Sequence, residues 1–288
     1  MEGPNFICIG LPKAGTGWLY DQLEAHPDFW MPPAKELNYL CQKLPKMPYV
    51  DDVDDAGNRI RRRGERFLQR TPRDDRDLGF IQTAREARGK PMDLSAYAAL
   101  FCFRGDLLSG DVSPPYSVLH NKTIEAVAER FPETKIMLLV RDPVARAWSQ
   151  VSMSYRRDRF DVAVLEDQGG FRAFLEDSKF AGDMRATRIV KQWRACAPNL
   201  NFRTFLFDDL ANDPVKMRAD ILSYLGADPA KPSGDLAPDY NRKAQTKQLA
   251  MTPDARRVLV EHFRDEIMES AAMFGGRSRD WVSRYGLG

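Results

Sequence analysis

The sequence predicts an α/β fold: a central, mostly parallel sheet flanked by helices. Three observations predict it. Apolar runs of strand length alternate with segments of helical apolar spacing, the pattern of a parallel sheet with crossover helices. The run "KIMLLV" (135–140) is apolar almost throughout, as expected of a strand buried on both faces. The first run, "FICIG" (6–10), leads into the glycine-containing loop "LPKAGTG" and then a helical pattern, a strand–loop–helix unit. A chain of 288 residues can bury one good core, so residues 1–288 are read as a single domain.

The elements follow in order. "WLYDQLEA" (18–25) is the first helix and stops before Pro27. Residues 51–90 are the most polar stretch of the chain, read as a solvated insertion or as a lid over a substrate. "DLSAYAALF" (93–101) has helical spacing, and "LLSGDVSPPY" (107–116) is a short strand running into a turn. "TIEAVAERF" (123–131) is an amphipathic helix closed by Pro132. After "KIMLLV", the segment "RDPVARAWSQVSMSYRR" is a helix with Asp142 at its N-cap and Pro143 at its first position. "NFRTFLF" (201–207) is another strand, and "DPVKMRADILSYLG" a helix ended by Gly226. One long helix is expected from Thr252, with Leu259, Phe263 and Ile267 on one stripe.

Composition narrows the function classes. The chain is 43% hydrophobic and 29% charged, and no apolar run approaches the roughly 20 residues of a membrane span. The start "MEGPNFICIG" lacks the basic region of a signal peptide and reads as a strand, so a cytoplasmic location is expected. A net charge of +2 does not argue for a nucleic-acid partner. Cys8, Cys41, Cys102 and Cys196 are scattered singly, and with three histidines in the chain no metal site is expected.

The first loop carries the chemistry. Gly10 and Gly15 have the spacing of a nucleotide-binding phosphate loop, but Thr16 follows Gly15 and the lysine lies earlier, at Lys13. Amides at a strand–loop–helix junction still make an anion site, so the fold is read as a P-loop-containing nucleotide-binding fold. The hydroxyl that would hold Mg²⁺ beside a triphosphate is missing from its usual place. "KIMLLV" ends in Arg141, and Ser149 follows eight residues later. A loop for one anion and an Arg/Ser pair for another suggest a nucleotide phosphorylated at two places. A kinase-like phosphotransferase and a non-catalytic nucleotide-binding module are the alternatives.

Those segments resemble a family. "PKAGTGWL" resembles the 5′-phosphosulfate loop of sulfotransferases that use 3′-phosphoadenosine 5′-phosphosulfate (PAPS), and "RDPVARAWSQ" their 3′-phosphate segment. "HPDFWMPPAKELNYL" is similar to a stretch with a K-E-x-x-[FY] signature in the Golgi heparan-type branch and many bacterial members. "GDVSPPYSVL" and "LFDDLANDP" resemble two further family segments, in the family's order.

The resemblance implies in-line sulfuryl transfer from PAPS to a hydroxyl or amine of a small molecule, glycan or lipid, without a metal. Lys13 would neutralise the leaving bridging oxygen. Ala14, Gly15, Thr16, Gly17 and Trp18 would bind the 5′-phosphate with it, and Arg141 and Ser149 the 3′-phosphate. Glu36 is the implied general base, with Asp111 as the second candidate. Two departures stand out. Asn38 replaces a histidine found in many relatives, and the late basic segment "YNRKAQTKQ" lacks the family's glycines. Arg242, Lys243 and Lys247 of that segment are the expected further nucleotide contacts.

Overall fold

A computed structural model describes residues 2–41, 73–177, 182–234, 236–240 and 249–288. Part of the candidate lid, residues 51–72, and the candidate contacts Arg242, Lys243 and Lys247 lie outside the described residues.

The elements in chain order are β1 (Phe6–Cys8), α1 (Thr16–Glu24), α2 (Asp75–Ala87), α3 (Leu94–Ala99), β2 (Gly110–Val112), α4 (Asn121–Arg130), β3 (Lys135–Val140), α5 (Pro143–Tyr155), α6 (Gln168–Glu176), α7 (Ala186–Cys196), β4 (Phe202–Leu206), α8 (Phe207–Asn212), α9 (Pro214–Leu225), α10 (Pro253–His262), α11 (Arg264–Phe274) and α12 (Arg279–Arg284). The four strands form one sheet in the order β2-β1-β3-β4. All pairings are parallel, with Phe6 opposite both Gly110 and Lys135, and Ile136 opposite Phe202. Helices flank this α/β core as the alternating pattern predicts. Among the described residues no helix is long and apolar enough to cross a membrane.

Local chemistry explains the boundaries. Asp142 caps α5, accepting from the amides of Val144 and Ala145, and Pro143 fixes the first helical φ. Asp213 caps α9, and Thr252 caps α10 by accepting from Ala255 N. β3 is the buried centre of the sheet: Ile136 to Val140 are covered on both sides.

Three readings are refined. The first helix begins at Thr16, not Trp18, because left-handed Gly15 (φ 97°) turns the chain directly into it. Within the polar stretch, α2 buries Phe80, Ile81, Ala84 and Ala87. Its Asp77 is wholly buried and accepts from the Trp30 indole at 3.1 Å and from Arg73 N at 2.8 Å. The described part of that stretch therefore contains a core helix. The predicted long C-terminal helix divides at Phe263 into α10 and α11. Leu259, Phe263 and Ile267 form the expected buried stripe, but α10 packs on α5 and α6 while α11 packs on α7 and α12. The break lets one stripe serve two sets of partners.

Phe263 is the pivot between those two packings. Phe263→Ala should lower stability by about 3–5 kcal/mol, the cost of a large aromatic cavity. Urea titration should show a lower midpoint with an unchanged slope.

Candidate active site

The loop after β1 is held against β3. Ile9 N and Leu11 N donate to the carbonyls of Met137 and Leu139, and Leu139 N donates back to Gly10 O. Lys13 (φ 69°) and Gly15 (φ 97°) then take left-handed conformations. At Gly15 a Cβ would be strained and would sit 3.2 Å from the Phe207 ring and 3.3 Å from Leu210. At Gly17 a Cβ would meet no protein atom within 4 Å. No side chain caps α1, so the amides of Thr16, Gly17 and Trp18 open the helix without helical partners. The Ala14 amide differs from this expectation, because it donates to Leu11 O at 3.2 Å within the loop.

Arg141 joins that loop to β3. Its Nη1 donates to Lys13 O at 2.9 Å, and its guanidinium lies 4.5 Å over the Phe207 ring. Burial draws the Arg141 pKa down, opposed by the fields of Asp142, Asp208 and Tyr285. Asp142 spends its carboxylate elsewhere. One oxygen caps α5, and the other accepts from Arg284 Nη1 at 2.8 Å and Tyr285 OH at 2.7 Å. Ser149 lies two turns into α5 and is 7% exposed. Lys13 Nζ is 3.7 Å from the sulfur of Met153, one helical turn beyond Ser149 on the same face of α5. Lys13, Arg141 and that face of α5 are thus gathered at the carboxyl ends of β1 and β3.

Glu36 belongs to a separate segment tied to the end of β2. It has φ 64°, donates its N–H to Val112 O at 3.2 Å, and pairs with Lys35 Nζ at 2.7 Å. Its side chain is 49% exposed whereas that of Lys35 is buried, so the carboxylate sits at the surface on a fixed base. Asp111 is the opposite case. It is 1% exposed and accepts from Ser113 Oγ (2.6 Å), Tyr116 OH (2.7 Å) and Tyr97 OH (3.0 Å), with the Leu37 amide as a fourth donor. Burial pushes its pKa up to about 6. Asn38 N donates to Ser113 Oγ and Leu40 N to Tyr116 OH, so this cage anchors the Glu36 segment from inside. Ser113 and Tyr116 fall with Asp111 in the segment "GDVSPPYSVL" that resembles a family segment, whereas nothing in the sequence marked Tyr97 as a further partner.

The described residues on either side of the late basic segment are held by two tryptophans. Trp18 Nε1 donates to Pro238 O at 2.7 Å and Gln22 to Ala237 O at 2.9 Å. On the other flank Trp148 Nε1 donates to Leu249 O at 2.7 Å, and Leu249 N to Ser152 Oγ at 3.3 Å. The Trp18 indole is thus taken up by a protein carbonyl, a contact that nothing in the sequence foretold. Phe207, Arg284 and Tyr285 were missed by sequence reasoning. Only the need of a buried Asp142 for a second set of donors could have pointed to the last two.

The loop between β1 and α1 and Arg141 at the end of β3 both lie within the part of the chain that known proteins match. The chain belongs to the sulfotransferase family, whose model matches residues 4–231. Carbohydrate sulfotransferase 15 of Mus musculus is 22% identical over 237 residues, and that of Rattus norvegicus 24% over 238. Each alignment covers 77% of this chain, which spans about a third (36%) of those relatives' length. A sulfotransferase structure from Alicyclobacillus acidocaldarius shares the fold, with a TM-score of 0.62 at 22% identity, over 98% of this chain and 99% of that one.

The Asp111 cage has a pH signature. Its folded pKa of about 6 lies above the ordinary value of 3.8, so the native state holds the proton more tightly than the unfolded chain. Its contribution is complete below 3.8 and is lost as pH rises through about 6. Denaturant titrations of wild type and Asp111→Asn should show the wild type gaining stability relative to the variant as pH falls through that window.

Proposed function

We propose that the protein is a PAPS-dependent sulfotransferase that modifies a hydroxyl, or an amine, of a glycan acceptor. One observation carries the reading: the uncapped start of α1 and the Lys13 loop are tied by Arg141 to the end of β3. On this reading the helix start and Arg141 each take one phosphate of a nucleotide phosphorylated at both ends of its ribose. Gly17 fits the same ligand, since its missing Cβ leaves open space at the helix start. The glycan class rests on the carbohydrate sulfotransferases to which the chain is similar.

In this reading Thr16, Gly17 and Trp18 offer amides to the 5′-phosphate, with Gly15 setting the turn. Arg141 and Ser149 hold the 3′-phosphate, and Arg242 and Lys243 add charge from the late segment. The donor supplies an activated sulfuryl group. Glu36 removes the acceptor's proton as the acceptor oxygen bonds to sulfur. Lys13 neutralises the bridging oxygen as its bond to sulfur breaks, an electrostatic role worth a few kcal/mol. Asp111 keeps the Glu36 segment in place. Transfer needs no metal in this scheme, and turnover should persist in EDTA.

Calorimetry tests the nucleotide. Adenosine 3′,5′-bisphosphate should bind far more tightly than adenosine 5′-phosphate, and Arg141→Ala should remove roughly 1.5–3 kcal/mol of that binding. Equal affinities would reject the two-anion reading; a requirement for ATP and Mg²⁺ would favour a kinase.

Glu36→Gln tests the base. It should leave bisphosphate affinity nearly intact, lower turnover roughly 100-fold or more, and abolish the acidic limb of the pH–rate profile. Near-wild-type turnover would remove Glu36 from the mechanism.

A further inference from the structure

The residues that pair with the acids neighbouring Arg141 and Phe207 lie beyond the segment matched by the family model. Arg284 closes α12 and forks between two carboxylates: Nη1 reaches Asp142 at 2.8 Å and Nη2 reaches Asp208 at 3.1 Å. Tyr285, the next residue, donates to the same Asp142 oxygen at 2.7 Å. The Arg256 guanidinium lies 5.2 Å over the Tyr285 ring and adds a cation beside it. Asp142 is buried (2% side-chain exposure), so it must be satisfied within the protein.

The geometry gives these contacts a consequence for the anion site. Asp142 immediately follows Arg141, and Asp208 immediately follows the Phe207 ring on which Arg141 lies. Both carboxylates bear on the Arg141 charge. Left without a partner, either would draw the guanidinium to itself and cancel the field that an incoming phosphate meets. With Arg284 between them, Arg141 instead donates to Lys13 O and faces the loop.

We propose that Arg284 and Tyr285 are positioning residues of the nucleotide site, holding Asp142 and Asp208 so that Arg141 stays available to the 3′-phosphate. The inference rests on the nucleotide reading above. It assigns part of the donor specificity to a C-terminal helix that touches no nucleotide. Arg284 acts through charge, and Tyr285 acts by filling the second donor position on Asp142.

The test measures binding of adenosine 3′,5′-bisphosphate and adenosine 5′-phosphate to the full chain by calorimetry. Arg284→Ala should weaken the bisphosphate roughly fivefold to tenfold and the monophosphate less than about twofold, a size limited by the 42% exposure of Arg284. Arg284→Lys should recover part of the loss. Adding Asp142→Asn to Arg284→Ala keeps the helix cap while removing one of the two stranded charges, and it should restore part of the bisphosphate preference. Should Arg284→Ala not fold, Tyr285→Phe carries the test, with a smaller selective loss of bisphosphate affinity expected. Equal loss for both nucleotides, or no loss, overturns the proposal. If Arg141→Ala leaves the ratio of the two affinities unchanged, the nucleotide reading itself fails. A reduced ratio in Arg141→Ala beside an unchanged one in the Arg284 and Tyr285 variants rejects the positioning role alone.

Discussion

The parallel pairing of β1 with β3 is the constraint on which the rest of the site depends. These strands lie more than a hundred residues apart in sequence, yet Phe6 sits opposite Lys135 and Cys8 opposite Met137. The pairing does not stop at the strand end. Leu11 N and Gly10 O continue it into the loop through Leu139. Since both strands run the same way, the chain leaves each of them on the same edge of the sheet. β2 follows on one side of β1 and β4 on the other side of β3, so the connections diverge at this edge of the sheet, where ligands of α/β folds bind. The Lys13 loop and Arg141 meet at that point because the register brings the ends of β1 and β3 together.

Burying Arg141 against the Lys13 loop has an electrostatic cost, and the surrounding residues show how it is met. Burial disfavours the charged form of Arg141. The Phe207 ring offers its π face to the guanidinium, and the Lys13 carbonyl accepts one of its protons. Neither partner carries a formal negative charge. The acids nearby are engaged by Arg284 and Tyr285 instead. A cation stabilised by a ring and a carbonyl keeps its net charge, whereas one closed into an ion pair loses most of its pull on an anion. A binding site for phosphate groups needs the first arrangement.

Much of this was legible in the sequence, and the unread part has a physical reason. The strand at 135–140 announced itself as a continuous apolar run, and Asp142–Pro143 marked the start of α5 by local chemistry alone. The loop of Lys13 and Gly15 was readable because glycine spacing is a local signal. The C-terminal break at Phe263 was not, since no glycine or proline sits there and tertiary packing divides the helix. Trp30, Tyr39, Tyr97, Phe101 and Tyr116 all belong to the core, while Tyr155 is 44% exposed; composition cannot distinguish these fates. The Arg284–Asp142 pair was hidden because its members lie 142 residues apart and only the fold brings them into contact. In the Asp111 cage Ser113 and Tyr116 are near neighbours in sequence, within a segment already singled out, and Tyr97 and the Leu37 amide come from other elements.

Backbone conformation makes the same division between what is local and what the fold imposes. Among the described residues, four that are not glycine have positive φ: Lys13, Glu36, Asn38 and Asp158. Such a conformation costs of order 1 kcal/mol or more for an ordinary side chain and persists only where the surroundings enforce it. Three of the four lie in the Lys13 loop or the Glu36 segment, and each is secured by a partner from a distant element. Arg141 holds the Lys13 carbonyl, Val112 O receives the Glu36 amide, and Ser113 Oγ receives the Asn38 amide. The strain and its restraints thus coincide with the two segments that carry the lysine and the carboxylate. A relaxed backbone at Glu36 would release the carboxylate from its fixed exit beside Lys35. The buried Asp111 cage, costly to desolvate, is what keeps that segment in place.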